Sequence, residues 1–364
     1  MTLGQPPAPG RAVVVGTGLI GGSIGLRLRQ LGWHVTGRDQ DGARAAQALA
    51  LGALDAVGED PAADVTFVAT PVKSVAGVAR EALAAGPGVV TDVGSVKAAV
   101  VDAVADPRFV GGHPMAGSEL EGVEGADATL FEGATWVLTP GEGTDANAFA
   151  LVRQVVTALG AEVLSLPPER HDTLVAVVSH VPHLTAATLM GLAEGRSSEH
   201  RALLRLAAGG FRDMTRIASG HPGIWPDICE ENRAAITDVL DDLIHQLEDM
   251  RQVVAKGDRE GLVGALERAR AARVNLPARL PTPADLREVR VPVPDRTGVV
   301  AEVANIATDV DANIVDFEIV HSPEGDRGVF VMLVASGSVD AFRRALLAAG
   351  YRPSVHVVDG GPPR

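Results

Sequence analysis

The sequence predicts three domains: a doubly wound α/β sheet, an all-helical domain and a small ferredoxin-like α+β domain. Strand-like and helix-like segments alternate at the start of the chain, long helical periodicities without strand candidates follow, and a strand-helix-strand-strand-helix-strand pattern comes last. We expect the boundaries at residues 1–167, 168–284 and 285–364.

The first domain shows short, valine-rich apolar runs separated by helical patterns. Near-continuous apolar runs are typical of parallel strands that are covered on both faces. The predicted strands are Ala12–Val15, His34–Gly37, Val65–Ala69, Gly88–Asp92, Arg108–Gly111, Thr135–Thr139 and Ala161–Ser165. Helical patterns lie between them at Ser23–Leu31, Gly42–Leu51 and Ala146–Leu159. This alternation predicts a parallel sheet with helices on both sides.

The second domain contains two long amphipathic stretches. His171–Leu192 is one of them, and Pro182 inside it predicts a kink. Arg233–Val254 is the other, with apolar residues on one stripe. The prolines of Pro277–Pro283 then indicate a linker.

The third domain is predicted from six consecutive segments, each about as long as a typical strand or helix. They are Val289–Val293, Val299–Thr308, Asn313–His321, Arg327–Ala335, Val339–Ala349 and Ser354–Val358. Their order, βαββαβ, is that of the ferredoxin-like fold.

The composition excludes several classes of protein. Of the 364 residues, 46% are hydrophobic and 21% charged, which is typical of globular proteins. Charges interrupt the chain often enough that we expect no membrane span, and the first ten residues do not form a secretory signal. The net charge of −14 argues against a nucleic-acid partner. The single cysteine, Cys229, favours a reducing, cytoplasmic setting and excludes a cysteine zinc site.

A glycine-rich loop follows the first predicted strand. The motif G-T-G-L-I-G at residues 16–21 opens a helix, and Asp39 ends the second strand at the spacing of dinucleotide-binding folds. The loop and helix N-terminus would bind a pyrophosphate through backbone N–H groups. The candidate cofactor contacts are Gly16, Gly18, Leu19, Ile20, Gly21, Asp39 and, after the third strand, Thr70 and Pro71.

Asp39 favours NAD over NADP. Its carboxylate would accept hydrogen bonds from the adenosine ribose and repel a 2′-phosphate. The neighbouring Arg38 could instead accommodate that phosphate, so strict selectivity for NAD stays open.

Further motifs lie where strands end or helices begin. They are D-V-G-S-V-K at 92–97, G-G-H-P-M-A-G-S-E at 111–119, S-H-V-P-H at 179–183 and G-G-F-R-D-M-T-R-I-A at 209–218. With the glycine loop, their order and spacing resemble the prephenate dehydrogenases and their arogenate-using relatives. The C-terminal unit, with D-R-T-G-V-V at 295–300, resembles an ACT domain, a type that commonly binds amino acids.

The resemblance implies a reaction and a biological role. Family members oxidise and decarboxylate prephenate to 4-hydroxyphenylpyruvate, with NAD as the hydride acceptor, on the route to tyrosine. The helical domains of the family form dimers, so a homodimer is implied, and the ACT-like domain implies tyrosine as a possible effector. The sequence leaves prephenate and arogenate open as substrates.

The resemblance also implies roles for individual residues. His113 matches the histidine that accepts the proton of the ring hydroxyl, and Ser95 matches the serine that orients it. Arg216 matches the arginine that binds a substrate carboxylate. Other substrate-pocket positions are matched by Ser179, His180, His183, Asp213, Glu119 and Trp225. No metal is implied.

Each assignment has a structural alternative. His113 could simply end a strand, and Ser95 could only cap a helix. His180 and His183 could be buried without a chemical role. Arg216 could pair with Asp213 on its own helix.

Two other functions compete with the family reaction. The β-hydroxyacid dehydrogenases combine a dinucleotide-binding domain with helices, but they use a lysine from the helical domain, where this chain has only Lys256. A non-catalytic sensor of NAD and amino acids would have no reason to keep a base such as His113 together with an anion clamp such as Arg216.

Overall fold

The computed structural model describes residues 8–117, 120, 122–197, 206–275, 286–294, 296–321 and 327–357. The chain divides into two compact units, Met1–Asp249 and Met250–Arg364. The first contains an eight-stranded sheet and most of the helical region, and the second contains a four-stranded sheet.

The larger sheet is built as the sequence predicts, with one additional short strand. Its strands are β1 (Arg11–Val15), β2 (His34–Arg38), β3 (Ala56–Val57), β4 (Val65–Val68), β5 (Val89–Asp92), β6 (Phe109–Pro114), β7 (Thr135–Thr139) and β8 (Glu162–Ser165). The helices of this region are α1 (Leu19–Gln30), α2 (Gly42–Ala50), α3 (Val72–Ala85), α4 (Ala98–Val104) and α5 (Ala146–Ala158). The added strand β3 has only two residues, too few to produce a pattern.

The strand order is β3-β2-β1-β4-β5-β6-β7-β8. The first six strands are parallel, whereas β7 runs antiparallel to β6. The order 3-2-1-4-5-6 is that of a dinucleotide-binding doubly wound sheet, which confirms the predicted fold class. Ligands bind such sheets at the carboxyl ends of the strands, at the point between β1 and β4 where the strand order reverses.

Buried apolar side chains hold the sheet and its helices together. Trp136 of β7 lies at 0% exposure and contacts the rings of Phe67 and Phe131. Two aspartates outside this core cap helices: Asp41 accepts a hydrogen bond from a backbone N–H of α2, and Asp145 accepts two from α5. Such caps typically contribute about 1 kcal/mol each.

The helical region follows β8. Its elements are α6 (Pro168–Val175), a π-helical turn (Ala176–His180), α7 (Val181–Ser197), α8 (Gly209–Thr215), a 3₁₀ turn (Arg216–Ser219), α9 (Trp225–Glu231) and α10 (Arg233–Lys256).

The predicted kink at Pro182 takes a different form. Pro182 is the second residue of α7, and the irregular turn lies just before it, where the N–H of Val181 bonds to the carbonyl of Ala176. Proline cannot donate to the carbonyl four residues earlier, and a wider turn at that point accommodates the loss.

We expected charged residues to interrupt every apolar segment long enough to span a membrane, and this expectation is wrong for one stretch. Pro168–Arg196 is long and apolar enough to cross a membrane by length and composition alone, with a mean hydropathy of 1.4 over an 18-residue window. Residues 173–193 contain no Asp, Glu, Lys or Arg. Ala176 and Val181 of this stretch pack into one buried apolar cluster with Val96.

The second unit contains the predicted βαββαβ order. Its elements are α11 (Arg259–Val274), β9 (Leu286–Pro294), α12 (Val299–Asp309), β10 (Ile314–His321), β11 (Arg327–Ala335), α13 (Val339–Ala348) and β12 (Ser354–Val357). The sheet order is β10-β11-β9-β12, and each neighbouring pair is antiparallel. Phe330, Met332 and Phe342 lie in its core. This arrangement is ferredoxin-like.

Candidate active site

The glycine loop between β1 and α1 is shaped to receive a dinucleotide. Gly16 has a φ of +93°, and a Cβ there would lie 2.3 Å from the carbonyl oxygen of Ala69. A Cβ at Gly21 would lie 2.0 Å from the carbonyl oxygen of Gly16. At Gly18 a Cβ would meet nothing within 4 Å, so internal packing does not require glycine there. The open approach at Gly18 fits a pyrophosphate close to the backbone.

Other groups around this loop fit the same ligand. The N-terminus of α1 has no side-chain cap, which leaves backbone N–H groups for an anion. Thr70, just after β4, has a buried hydroxyl oxygen without a hydrogen-bond partner in the described part of the chain. Leu19 and Ile20 form the first turn of α1, and Pro71 precedes α3. The loop therefore fits the predicted nucleotide.

Asp39 lies against the glycine loop. One carboxylate oxygen accepts hydrogen bonds from the backbone N–H of Thr17 at 2.8 Å and from its hydroxyl at 3.2 Å. The neighbouring Arg38 forms ion pairs with Glu59 at 3.2 Å and Glu81 at 3.4 Å. Two carboxylates thus already surround the arginine that was the alternative partner for a 2′-phosphate.

His113 is the second-last residue of β6 and is half-buried. Its Nδ1 lies 2.9 Å from Nε2 of His171 in α6. Nδ1 of His171 in turn lies 2.8 Å from a carboxylate oxygen of Asp172. Three side chains thus form one hydrogen-bonded row that ends at the predicted base.

Asp172 also joins α6 to the end of β5. Its two carboxylate oxygens accept hydrogen bonds from the backbone N–H groups of Lys97 at 2.8 Å and Ala98 at 2.9 Å. These groups open α4, so Asp172 fills the capping role that was the structural alternative for Ser95. Ser95 itself is half-buried in the segment between β5 and α4.

A buried ion pair lies beneath His113. Lys97 is at 0% exposure, and its Nζ bonds to Asp92 and to the carbonyl oxygen of Gly112. Asp92 also accepts from the backbone N–H groups of Gly94 and Gly112. The pair ties the ends of β5 and β6 together immediately before His113.

The surroundings of His113 favour the neutral imidazole. Burial is the main cause that lowers its pKa well below the ordinary histidine value, and His171, Lys97 and His180 add to the effect. A neutral histidine is the form that can act as a base. From the sequence alone, the activity of an enzyme with this base should rise with pH through an ionisation near the unperturbed histidine pKa of roughly 6.5. The surroundings of His113 place this ionisation at lower pH.

Two more predicted histidines lie around Trp225. His183 stacks on this ring, with 3.7 Å between ring centroids, and His180 meets it edge-on at 6.2 Å. Nδ1 of His180 accepts from the side-chain amide of Asn232 at 3.2 Å, so the neutral ring carries its hydrogen on Nε2. That Nε2 is buried and has no partner among the described residues. Burial lowers the pKa of His180 to about 4.

The remaining predicted substrate residues in the described part of the chain are more exposed to solvent than His180. Ser179 is half-buried in the π-helical turn, and Asp213 and Arg216 are exposed on α8 and the following 3₁₀ turn. The end of that turn reaches His183, since a Cβ at Gly220 would lie 3.6 Å from its ring. Glu119 lies outside the described residues.

Sequence reasoning missed His171, Asp172 and Asn232 of this network. All three are buried polar residues, exposed by 5% or less. His171 and Asp172 share the buried face of α6 with Pro168 and Val175. Polar residues at helical spacing on an apolar stripe are the signal that could have found them.

The fold and the glycine loop define a dinucleotide-binding protein of the doubly wound α/β class. A family model for the prephenate dehydrogenase nucleotide-binding domain matches residues 24–165, and one for its dimerization domain matches residues 167–268. The chain therefore belongs to the prephenate dehydrogenase family.

Individual relatives agree with this assignment. The chain is 36% identical to a prephenate dehydrogenase of Bacillus subtilis, over 87% of this chain and 90% of that protein. A prephenate dehydrogenase structure from A. aeolicus, in complex with hydroxyphenyl propionate and NAD+, is 31% identical, with a TM-score of 0.67 over 75% of this chain and 99% of that one. A Synechocystis arogenate dehydrogenase structure is 30% identical, with a TM-score of 0.65 over 72% and 98%.

Proposed function

We propose that the protein catalyses the NAD-dependent oxidative decarboxylation of prephenate to 4-hydroxyphenylpyruvate, with His113 as the base. The observation that carries this proposal is the half-buried histidine at the end of β6, in the same sheet as a complete dinucleotide loop. Both lie at the carboxyl ends of strands, where such sheets bind their ligands.

The reaction requires no covalent bond between the protein and the substrate. NAD supplies the hydride acceptor. His113 accepts the hydroxyl proton at C4, while the C4 hydrogen leaves as hydride and the ring carboxylate leaves as CO2. The electrons of the broken bond to CO2 make the ring aromatic, and the resulting phenolate oxygen takes the proton back to give the hydroxyl of the product. The residues therefore need only orient the substrate, hold its anionic groups and accept and return one proton. Ser95, in the segment before α4, would orient His113 and the hydroxyl.

The helical region would hold the substrate. Nε2 of His180 is a buried donor without a partner in the described chain, and such a group normally finds one in the ligand-bound state. His183 and Trp225, stacked face to face, would form a wall of the pocket. The positions Ser179, Asp213 and Glu119 complete the proposed pocket.

Arg216 would bind a carboxylate that stays on the substrate throughout the reaction. Arg216→Ala should then raise KM by about 10–100-fold, as expected for a lost charge-assisted contact, with a much smaller change in kcat. Arg216→Lys should rescue only in part, because an ammonium cannot make the planar two-bond contact. Steady-state kinetics with varied substrate checks this. A loss confined to kcat would place the arginine on the reacting carboxylate instead.

Arogenate is the alternative substrate, and the structural match to an arogenate dehydrogenase favours testing it. The two compounds differ by a keto or amino group on the side chain. Initial rates of NADH formation with each compound decide between them. We expect a higher kcat/KM with prephenate, and a clear preference for arogenate would change the assigned substrate. No turnover of either would refute the proposed reaction.

The cofactor preference should depend on Asp39. Asp39→Ala removes the ribose acceptor and the charge that repels a 2′-phosphate, so the kcat/KM ratio of NADP to NAD should rise by about tenfold or more. Asp41→Ala is the matched control, since Asp41 caps α2 nearby and the ratio should not change. A wild-type preference for NADP would overturn this assignment and point to Arg38.

The C-terminal unit is proposed to be an ACT domain that binds tyrosine. The ferredoxin-like sheet and the turn at Gly298, which opens α12, support this, and the N-terminus of α12 would face the ligand carboxylate. Asp295 of the same motif lies outside the described residues. A dimerisation module without a ligand remains the alternative. Calorimetry with tyrosine tests the proposal, and the absence of heat together with the absence of inhibition would refute it.

We also propose a homodimer formed through the helical region. An apolar groove there is lined by Val177, Val181, Leu189, Met214, Ile217 and Leu243. Val177, Met214 and Ile217 are exposed in the single chain, which is the usual sign of an interface. The matching dimerization-domain model covers this region. A cytoplasmic location is proposed on the single cysteine alone.

A further inference from the structure

His171 and Asp172 lie behind the proposed base, in a hydrogen-bonded row that ends at Nδ1 of His113. Both are buried, at 0% and 5% exposure, although His and Asp are costly residues to bury without a partner. Each has its partners: Asp172 with the N-terminus of α4, and His171 with both Asp172 and His113. A purely structural cap would require only the aspartate, so the histidine between it and His113 needs its own explanation.

The directions of these hydrogen bonds can be worked out from Asp172. A carboxylate only accepts, so Nδ1 of His171 must donate to Asp172. In the neutral ring of His171, Nε2 then carries no hydrogen and can only accept. Nδ1 of His113 must therefore donate to it. It follows that Nε2 of neutral His113 carries a lone pair and no hydrogen.

We propose that His171 and Asp172 are positioning residues that hold the hydrogen of His113 on Nδ1 and so keep Nε2 free to accept the substrate proton. This inference rests on the proposed role of His113. The proton leaves the substrate hydroxyl, the O–H bond breaks and a new N–H bond forms at Nε2. The existing bond from Nδ1 to His171 is kept, and the new positive charge lies one ring away from the Asp172 carboxylate.

Asp172 can fix the tautomers of both histidines because its own position is fixed. The two backbone N–H groups that open α4 hold the Asp172 carboxylate in one orientation. The amide of Asn232 holds the backbone carbonyl of the same residue at 2.9 Å. The aspartate therefore cannot turn away from His171, and the tautomer of His113 is set by groups that do not take part in the reaction.

The direct test reads the tautomer in the unliganded full-length protein. Histidine labelled with ¹⁵N is incorporated, and the His113 signals are assigned by their loss in His113→Asn. At pH above the ionisation of His113, we expect Nδ1 to resonate as a protonated nitrogen and Nε2 as an unprotonated one. The opposite pattern would overturn the proposal. This measurement needs no substrate, so it can fail while the proposed reaction stands, and it can succeed if the reaction is refuted.

A second test uses the kinetics of Asp172→Ala. One oxygen of Asp172 accepts from both the N–H of Lys97 and Nδ1 of His171, so an asparagine could keep this acceptor, whereas alanine removes it. Without the acceptor, Nδ1 of His171 no longer has to carry the hydrogen, and the tautomer of His113 is no longer fixed. We expect kcat to fall by about 10–100-fold, the usual cost of losing an outer partner that orients a histidine, with little change in KM. Asp145→Ala is the matched control, because it also removes a helix cap of two N–H bonds, at the start of α5. A folded Asp172→Ala variant with unchanged kcat would overturn the proposal.

Two substitutions of His171 distinguish a role in setting the tautomer of His113 from a role in packing alone. His171→Gln can still present an amide oxygen to Nδ1 of His113, whereas His171→Leu cannot. We expect the glutamine variant to keep kcat within about tenfold of wild type and the leucine variant to lose about 10²-fold. Equal losses in both variants, at equal thermal stability, would contradict the proposed role.

Discussion

Replacing His113 with asparagine should lower kcat by about 10²–10⁴-fold, the usual contribution of a general base. The proton moves as hydride leaves, so the histidine acts mainly in the transition state and KM should change little. Asparagine retains some hydrogen bonding, which places this variant at the mild end of the range. Steady-state rates of NADH formation measure the effect, and His245→Asn on the exposed face of α10 is the control.

The pH profile gives the same prediction a second readout. His113 accepts a proton only when neutral, so kcat/KM, which follows the ionisations of the free enzyme, should rise with pH through one ionisation. Because burial and the nearby His171, Lys97 and His180 lower the pKa of His113, this limb should lie below the ordinary value of roughly 6.5. The limb should vanish in His113→Asn. If kcat and the limb both persist in that variant, the base lies elsewhere, and His183 becomes the next candidate.

Replacing Lys97 with methionine should be the most destabilising of the substitutions considered. It leaves the carboxylate of Asp92 buried without its cation, and breaking such a pair typically costs about 3–5 kcal/mol of unfolding free energy. It also removes the bond from Nζ to the carbonyl oxygen of Gly112, so activity should fall as well. Denaturant unfolding of the wild type and variant measures the loss.

Two further variants separate charge burial from packing. In Lys97→Met combined with Asp92→Asn, no uncompensated charge remains, so much of the stability should return. Lys73→Met removes an exposed lysine that pairs with Asp227 and Glu230, and it should hardly change the unfolding free energy. If Lys97→Met were no more destabilising than Lys73→Met, the buried pair would not stabilise the fold as argued.

The sequence was informative where a pattern repeats locally. Parallel strands read as continuous apolar runs, and the predicted Thr135–Thr139 strand matches the observed β7 residue for residue. The glycine loop and Asp39 were found because their spacing is fixed by the nucleotide they bind. The ferredoxin-like unit was predicted correctly because each of its segments shows the hydrophobic periodicity of a strand or of a helix. The two-residue strand β3 was too short to leave any such signal.

Contacts between distant segments were harder to predict. His113 is 58 positions from His171, so nothing local in either segment indicates that their rings share a hydrogen bond. The same applies to Lys97 and Asp172, which are separated by 75 positions. The lowered pKa of His113 depends on these neighbours, and an unperturbed value was therefore the best that the sequence alone could offer.

The most direct test of the account is a product balance with prephenate as substrate. Purified protein is incubated with prephenate and NAD, and NADH, CO2 and 4-hydroxyphenylpyruvate are each measured over time. The account predicts that the three products appear in equal amounts, and that all three are lost together in His113→Asn. NADH without CO2, or full product formation in the His113 variant, would contradict it.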